Sequence, residues 1–315
     1  MVFRLTLTPL LYLMSAFSSV CADDETSFAT VPPVSWERIE PLKEIGQNLA
    51  GFDFSAQTCR ITCGVPPLSV IQQLGAAAAP RANLLAPTEY LDSVASVDII
   101  TWQPPLPGFT DGSFAAVFTR IQPETGFGKT DGFTLSLQTL QNGLGRIRIY
   151  LAFNEALLQL AQSSTFTLNP ARSYRLVLAS RGDRHIGRIF DLTSPGNPVA
   201  SLSVQNSNLA TDPGRCGFGV ATPHALPIDI TFDNFLAWDG TPPPLTIRQG
   251  TAPNTIELLA DTRRAMASTL QTTTDLTNPA SWLPATPISA TESGQNIVRR
   301  FSLSGTSVFF RGSSL

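Results

Sequence analysis

The sequence predicts an all-β protein, an antiparallel two-sheet sandwich followed by a second and smaller β-sandwich. Period-two alternation of apolar and polar residues dominates from about residue 50 to residue 240. Turn signals fall between nearly every pair of alternating runs. A break at Asp239-Gly240-Thr241-Pro242-Pro243-Pro244 then divides this region from a tail with short strands of its own.

In chain order the runs are Phe52–Cys63, Ser93–Trp102, Ser113–Ile121, Phe133–Leu137, Arg146–Phe153, Tyr174–Leu178, Ile186–Leu192, Ala200–Val204, Gly217–Ala221 and Ile228–Trp238. The cleanest is Arg146–Phe153. Ile147, Ile149, Leu151 and Phe153 share one face, and Arg146, Arg148 and Tyr150 share the other, as in a strand half buried in a sheet. Pro104–Gly108, Asn142-Gly143, Asn169-Pro170, Arg181–Asp183, Ser194–Asn197 and Asp212–Gly214 are turn formers between runs. The one helix-like segment is Asn154–Gln162, with Leu157, Leu158 and Ala161 along a face, and Ala76–Ala79 before Pro80 reads as a loop. Three successive prolines cannot continue a central strand and favour a stiff extended linker, here 241–244. Beyond it Leu245–Arg248, Thr255–Leu259, Ala267–Thr272, Asn296–Leu303 and Ser307–Arg311 supply strands for an immunoglobulin-like or fibronectin-III-like sandwich over 245–315. That length is near the lower limit for an independent core.

The 315-residue chain is 43% hydrophobic and only 14% charged, with 25 Pro and 22 Gly in no triplet period. Disorder throughout and collagen are excluded. A net charge of −3 lacks the basic footprint of a nucleic-acid partner. Arg4, an apolar run from Leu5 to Phe17 and small residues before Ala22 have the form of a signal peptide, 1–22. The run is too short to cross about 30 Å of hydrocarbon comfortably, and no later stretch reaches spanning length. The expectation is an exported protein, secreted, periplasmic or at the cell surface after cleavage near Ala22, with an N-terminal extension at 23–44. Val20 before Cys21 disfavours lipidation. Export leaves Cys59, Cys63 and Cys216. Cys59 and Cys63 would lie about 13 Å apart along a strand, too far to bond each other. A bridge from Cys216 to Cys59 or Cys63 therefore stands beside the alternative of free thiols. Zinc would need a fourth ligand, and no metal site is assigned.

Five segments carry a resemblance to a known family. They are Gly51–Ser55 with Arg60-Ile61, Ser96–Trp102, Asn169–Arg175, Arg188–Leu192 and Thr231–Phe235. In their order and spacing they resemble secreted bacterial proteins with a concanavalin A-like, laminin-G-like jelly roll, over roughly 45–240. The tail, with Thr273–Trp282 and the closing Phe309-Phe310-Arg311, is similar to a small β-sandwich module that follows such domains. It departs from that module at Asp261–Met266, where a Trp-containing strand is expected. The resemblance implies a fold that hosts lectins, glucanases and adhesion modules, so function must come from the site.

Retaining glucanases of this fold carry Glu-x-Asp-x-x-Glu on one strand, with the two working carboxyls about 5–5.5 Å apart. No such motif occurs. Glu89 and Asp92 have the wrong spacing, Asp98 has Ile100 and Gln103 where partners are needed, and Asp233-Asn234 reads as a structural feature of the closing strand. His185 and His224 both read as exposed loop residues, and no Gly-x-Ser-x-Gly elbow is present. Gly126–Thr130 is too short for a phosphate loop. Asp111, Asp131 and Asp183 are single loop acids, so structural calcium gains no clear site and no cofactor is expected. What remains is binding. Arg146, Arg148 and Tyr150 on an outward face suit an acidic polysaccharide, and Trp102 at a strand end is a second candidate. The expected protein is a non-catalytic binding or adhesion module for a polysaccharide or a cell-surface protein. A structural role in an exported layer is the alternative, with a divergent glycoside hydrolase behind it.

Overall fold

The structure, a computed structural model, describes residues 24–28, 35–194 and 197–241 and the strand segments 246–249, 255–260, 268–273, 283–284, 297–302 and 309–314. The alternating runs become strands β1 (Asp24–Thr26), β2 (Glu37–Ile39), β3 (Ala50–Asp53), β4 (Cys59–Cys63), β5 (Arg81–Tyr90), β6 (Ser93–Thr101), β7 (Asp111–Ile121) and β8 (Gly132–Leu140). They continue as β9 (Leu144–Phe153), β10 (Ala156–Gln162), β11 (Phe166–Thr167), β12 (Tyr174–Arg181), β13 (Arg184–Asp191), β14 (Ala200–Gln205), β15 (Gly214–Ala221) and β16 (Ile228–Trp238). Sheet I has the order β14-β13-β12-β6-β16-β4-β3, with β1 also on β16. Sheet II has the order β10-β9-β8-β7-β15-β5-β2, with β11 also on β9. Every pairing is antiparallel. The inward faces of the two sheets meet in one core that includes Ile61, Val97, Phe133, Ile149, Leu176, Phe218 and Phe232. The expected two-sheet antiparallel sandwich is present, and Ala22–Gly240 forms one unit.

Five local features differ from the sequence expectation. The stretch 23–44 is not an extension ahead of the sandwich, because β1 pairs with β16 and β2 with β5. Asn154–Gln162 is not helical. Asn154 and Glu155 both have positive φ, 50° and 61°, which makes a tight turn and folds β10 back on β9 as a hairpin. Phe153, expected inside, is at that turn and 62% exposed. Ala76–Ala78 belongs to a 3-10 turn after helix α1 (Leu68–Leu74). Strand β5 went unpredicted because Pro87 interrupts it. The structure places Pro87 between the Leu85–Gly217 and Glu89–Arg215 pairs, where the register shifts and no regular ladder bond is lost.

Beyond Thr241 the strands are β17 (Thr246–Gln249), β18 (Thr255–Ala260), β19 (Ser268–Thr273), β20 (Leu283–Pro284), β21 (Ile297–Ser302) and β22 (Phe309–Ser314). They form two antiparallel three-stranded sheets, β17-β18-β21 and β20-β19-β22. The signal peptide 1–22, Pro242–Pro244 and Asp261–Met266 lie outside the described residues. Among the described residues no helix is long and apolar enough to cross a membrane.

Candidate functional site

The site is built on the outer face of sheet II, and cross-strand register sets what stands beside what. Three rows of side chains cross the strands there. The first runs Tyr150–Thr134–Phe118–Gly217–Leu85 and the third Arg146–Gln138–Phe114–Ala221–Arg81. Between them the middle row is Gln162–Arg148–Ser136–Ala116–Gly219–Asn83–Ile39. Its central members are small while its neighbours include Phe118, Phe114 and Tyr150, so the row is a shallow trough. A Cβ at Gly219 would come within 2.1 Å of Asn83 Oδ1, so only glycine lets that amide lie flat across the sheet. Phe114, Ala116, Phe118, Ser136, Tyr150 and Leu157 line a mainly apolar hollow of about 90 Å³.

Polar groups gather at the β9 end. Arg148 Nη1 donates to the Tyr150 hydroxyl at 3.0 Å and its Nε to Gln162 Oε1 at 3.2 Å. Arg146 Nε donates to Gln138 Oε1 at 2.8 Å, and Gln138 Nε2 donates to Asp111 Oδ2 at 2.9 Å. Asp111 Oδ1 lies 2.8 Å from His224 Nε2, and the His224 ring packs on Phe109 with centroids 5.0 Å apart. Burial, then repulsion from Arg148, lowers the pKa of Arg146. Neither Arg146 nor Arg148 has a carboxylate partner among the described residues. Ser136, 3% exposed, stands directly opposite Arg148, and its hydroxyl has no hydrogen-bond partner among them.

Arg146, Arg148 and Tyr150 are therefore together, as strand parity predicts. Tyr150 is not the solvated platform that was expected: its ring is only 7% exposed because it forms a wall of the hollow. Trp102 is not with them. It leaves the end of β6 in the other sheet, is half buried against the core and meets Tyr174 edge-on at 5.4 Å. Gln138, Asp111, His224 and Ser136 were missed. They come from two further strands and the loop before β16, and only the outward parity of β8 gives any sign of Gln138 and Ser136.

Other candidates resolve into structural roles. His185 is not an exposed loop residue but fully buried. Its Nδ1 is 2.9 Å from Ser180 Oγ, its Nε2 is 3.2 Å from the Asn206 carbonyl, and its ring stacks on Phe133 at 3.7 Å. Burial pulls its pKa down to about 4. This serine–histidine pair is sealed from substrate. Asp98, 1% exposed, accepts two hydrogen bonds from Arg175, at 2.6 and 2.8 Å, and one from Asn234 Nδ2 at 3.0 Å. Asn234 sits at φ 49° in the register shift of β16. The Gly126–Thr130 loop already holds a carboxylate, since Gly128 N–H donates to Glu155 Oε2 at 2.6 Å and Arg81 pairs with the same side chain. Among the described residues no three His, Cys, Asp or Glu side chains cluster as metal ligands.

Of the two alternatives, a bridge from Cys216 to Cys59 or Cys63 and free thiols, the structure has the second, with all three thiols free and buried. Cys59 and Cys63 point inward from β4 of sheet I and Cys216 from β15 of sheet II. Their polar surroundings differ: Ser93 and Asp24 near Cys216, Arg38 and Asp53 near Cys59, Glu40 and Arg81 near Cys63. Burial pushes each thiol up to about 12.

No family model matches the chain, and no curated protein matches it. Among solved structures it is similar to the VIP36 exoplasmic/lumenal domain in its Ca2+/Man2-bound form, at 11% identity and TM-score 0.45 over 69% of this chain and 87% of that one. Basic winged bean lectin with Tn-antigen matches at 10% identity and TM-score 0.44, over 69% of this chain and 98% of that one. A prokaryotic β-1,3-1,4-glucanase (lichenase) from a mouse hindgut metagenome matches at 10% identity and TM-score 0.43, over 70% and 99%. The strand order and inward-facing core of this chain make it a two-sheet antiparallel β-sandwich.

Proposed function

We propose that this is an exported, non-catalytic binding protein that holds an acidic polysaccharide on the outer face of sheet II. One observation carries the reading. Two guanidinium groups without carboxylate partners among the described residues stand at the β9 end of a trough in which the buried Ser136 hydroxyl has no partner among them either. A guanidinium held only by neutral groups keeps its charge for an incoming anion and presents fixed, paired donors to a carboxylate or sulfate. The apolar walls, Phe114, Phe118 and Tyr150, suit the C–H faces of sugar rings. Carboxylates around this face are already engaged: Asp111 with Gln138 and His224, Glu155 with Arg81, Glu37 with Arg215. This supports binding over glycosidic hydrolysis, which needs one carboxyl as acid and a second as nucleophile or base.

The test is affinity electrophoresis or a glycan array of the purified protein against uronic-acid or sulfated polysaccharides and their neutral counterparts. Retention by the acidic set, weakened by salt and lost in Arg146→Gln/Arg148→Gln, is expected. Equal retention by neutral glycans, or retention that survives the double substitution, would overturn the reading.

A further inference from the structure

The outer face of a sandwich sheet is ordinarily the polar one, but on sheet II it carries a second apolar cluster. Ile39, Leu85, Ala116, Phe118 and Ile121 pack together there, apart from the main core. All five line the hollow, and Tyr150 and Ser136 join it to the arginine end. At about 90 Å³ the hollow is smaller than the roughly 150 Å³ of apolar cavity that takes a benzene ring. It suits a group of a few heavy atoms and is too small for a long acyl chain. Several polar side chains around it are already engaged. Arg81 and Glu155 hold each other, Thr130 bonds the Gly126 backbone, and the Tyr150 hydroxyl accepts from Arg148. Ser136 is different, because its buried oxygen makes no hydrogen bond among the described residues. A buried hydroxyl in that state calls for a partner from outside the chain. With no bond to break, its χ1 is free to turn between staggered wells to meet one.

We infer that the hollow is an acetyl subsite, and that the acidic polysaccharide proposed above is one carrying O-acetyl groups. The inference rests on that reading for the charge of the polymer and on the hollow alone for the substituent. The acetyl methyl sits on Ala116 between Phe114 and Phe118, and the ester carbonyl oxygen accepts from the Ser136 hydroxyl. Arg148, directly opposite Ser136 on β9, is left for a carboxylate on the same sugar or its neighbour. Other substituents satisfy only part of this. A free sugar hydroxyl would leave the apolar walls in water, and the methyl of a deoxy sugar would leave Ser136 unpaired. A methyl ester on the acid itself would remove the anion that the guanidinium favours. An acetamide would bring an N–H that needs an acceptor of its own.

Affinity electrophoresis of the purified protein tests this with partially O-acetylated polygalacturonate, partially O-acetylated glucomannan, and each polymer after de-esterification in dilute alkali. The O-acetylated acid should bind at least about tenfold tighter than its de-esterified form. That ratio should fall towards one in Ser136→Ala, which removes the hydroxyl, and separately in Ala116→Val, which fills the floor. Circular dichroism of each variant checks that the fold survives. A wild-type ratio near one, or a preference that survives both substitutions, would overturn the inference. Continued retention of both acidic forms would then leave the acidic-polysaccharide reading standing. Equal, Ser136-dependent retention of the two O-acetylated polymers would support the subsite and overturn the requirement for an acid. Retention of none of the polymers would overturn both. Competition by N-acetylglucosamine oligosaccharides as strong as by O-acetylated fragments would overturn the choice of an ester.

Discussion

Arg120 on β7 and the Arg146–Arg148 pair on β9 lie two strands apart in sheet II, yet their hydrogen bonds go to opposite kinds of partner. At Arg120 the backbone has φ 54°, beside the register shift between β7 and β15, and the side chain is fully buried. Its guanidinium donates to the carbonyls of Leu91, Gly182 and Leu209 at 2.9, 2.7 and 3.1 Å, and Asp92 stands 3.5 Å away. Burial lowers its pKa, and those acceptors take the place of water. Arg146 and Arg148 bond only neutral side chains and keep terminal nitrogens without a partner among the described residues. The first arrangement is closed and structural. The second is incomplete, which makes it the place to look for a ligand.

The largest expected effect breaks the closed arrangement. Arg120→Met should cost about 3–5 kcal/mol, since the carbonyls of Leu91, Gly182 and Leu209, packed on a fully buried guanidinium, lose their donor together. Urea denaturation measures it, and a cost below about 1 kcal/mol would mean that water replaces the guanidinium.

His185 belongs to the same closed class and should set an acid limit on stability. Its pKa falls from 6.5 to about 4 on folding, so the unfolded chain binds the proton more readily. Its contribution is complete above about pH 6.5 and drains away as pH falls towards 4, by about 3 kcal/mol in all. Replacing His185 with Gln should flatten that part of the stability profile. A profile unchanged by the substitution would assign the acid sensitivity elsewhere.

At the open site the contrast reverses. Arg146→Gln with Arg148→Gln should leave stability within about 0.5 kcal/mol, while the protein loses its retention by acidic polysaccharide. A large stability loss would move this pair into the structural class. The smallest effect concerns the cysteines. Without reductant, Cys59, Cys63 and Cys216 should resist alkylation in the folded protein and all react once it is unfolded, as read by intact mass. Any one protected after unfolding would reveal a bridge.

What could be read in advance follows from how local each signal is. β9 was legible because Ile147, Ile149 and Leu151 alternate without interruption, and all three are in the core. The first half of β16 was legible for the same reason, since Ile228, Ile230 and Phe232 alternate, although the strand shifts register at Asn234. His185 misled because it follows Arg181-Gly182-Asp183-Arg184, a polar turn. Only its even spacing from Gly187 and Ile189 marks it as inward. The hairpin at Asn154 misled because Leu157, Leu158 and Ala161 fit a helical face as well as an edge strand, and edges have no second neighbour to enforce alternation. The outward placement of Arg146, Arg148 and Tyr150 was readable from parity alone. Their link to Asp111 and His224 was not, since register between distant strands forms only when the sheet does.

The middle row from Gln162 to Ile39 runs across the strands, not along them. Seven strands at about 4.8 Å spacing give it a length of about 29 Å, longer than any single sugar ring needs. A polymer lying in it would touch successive strands at successive units, and affinity would grow with chain length until the row is filled. Short fragments would fill only part of the row, so the length at which competition by fragments becomes effective measures how much of the sheet the ligand uses.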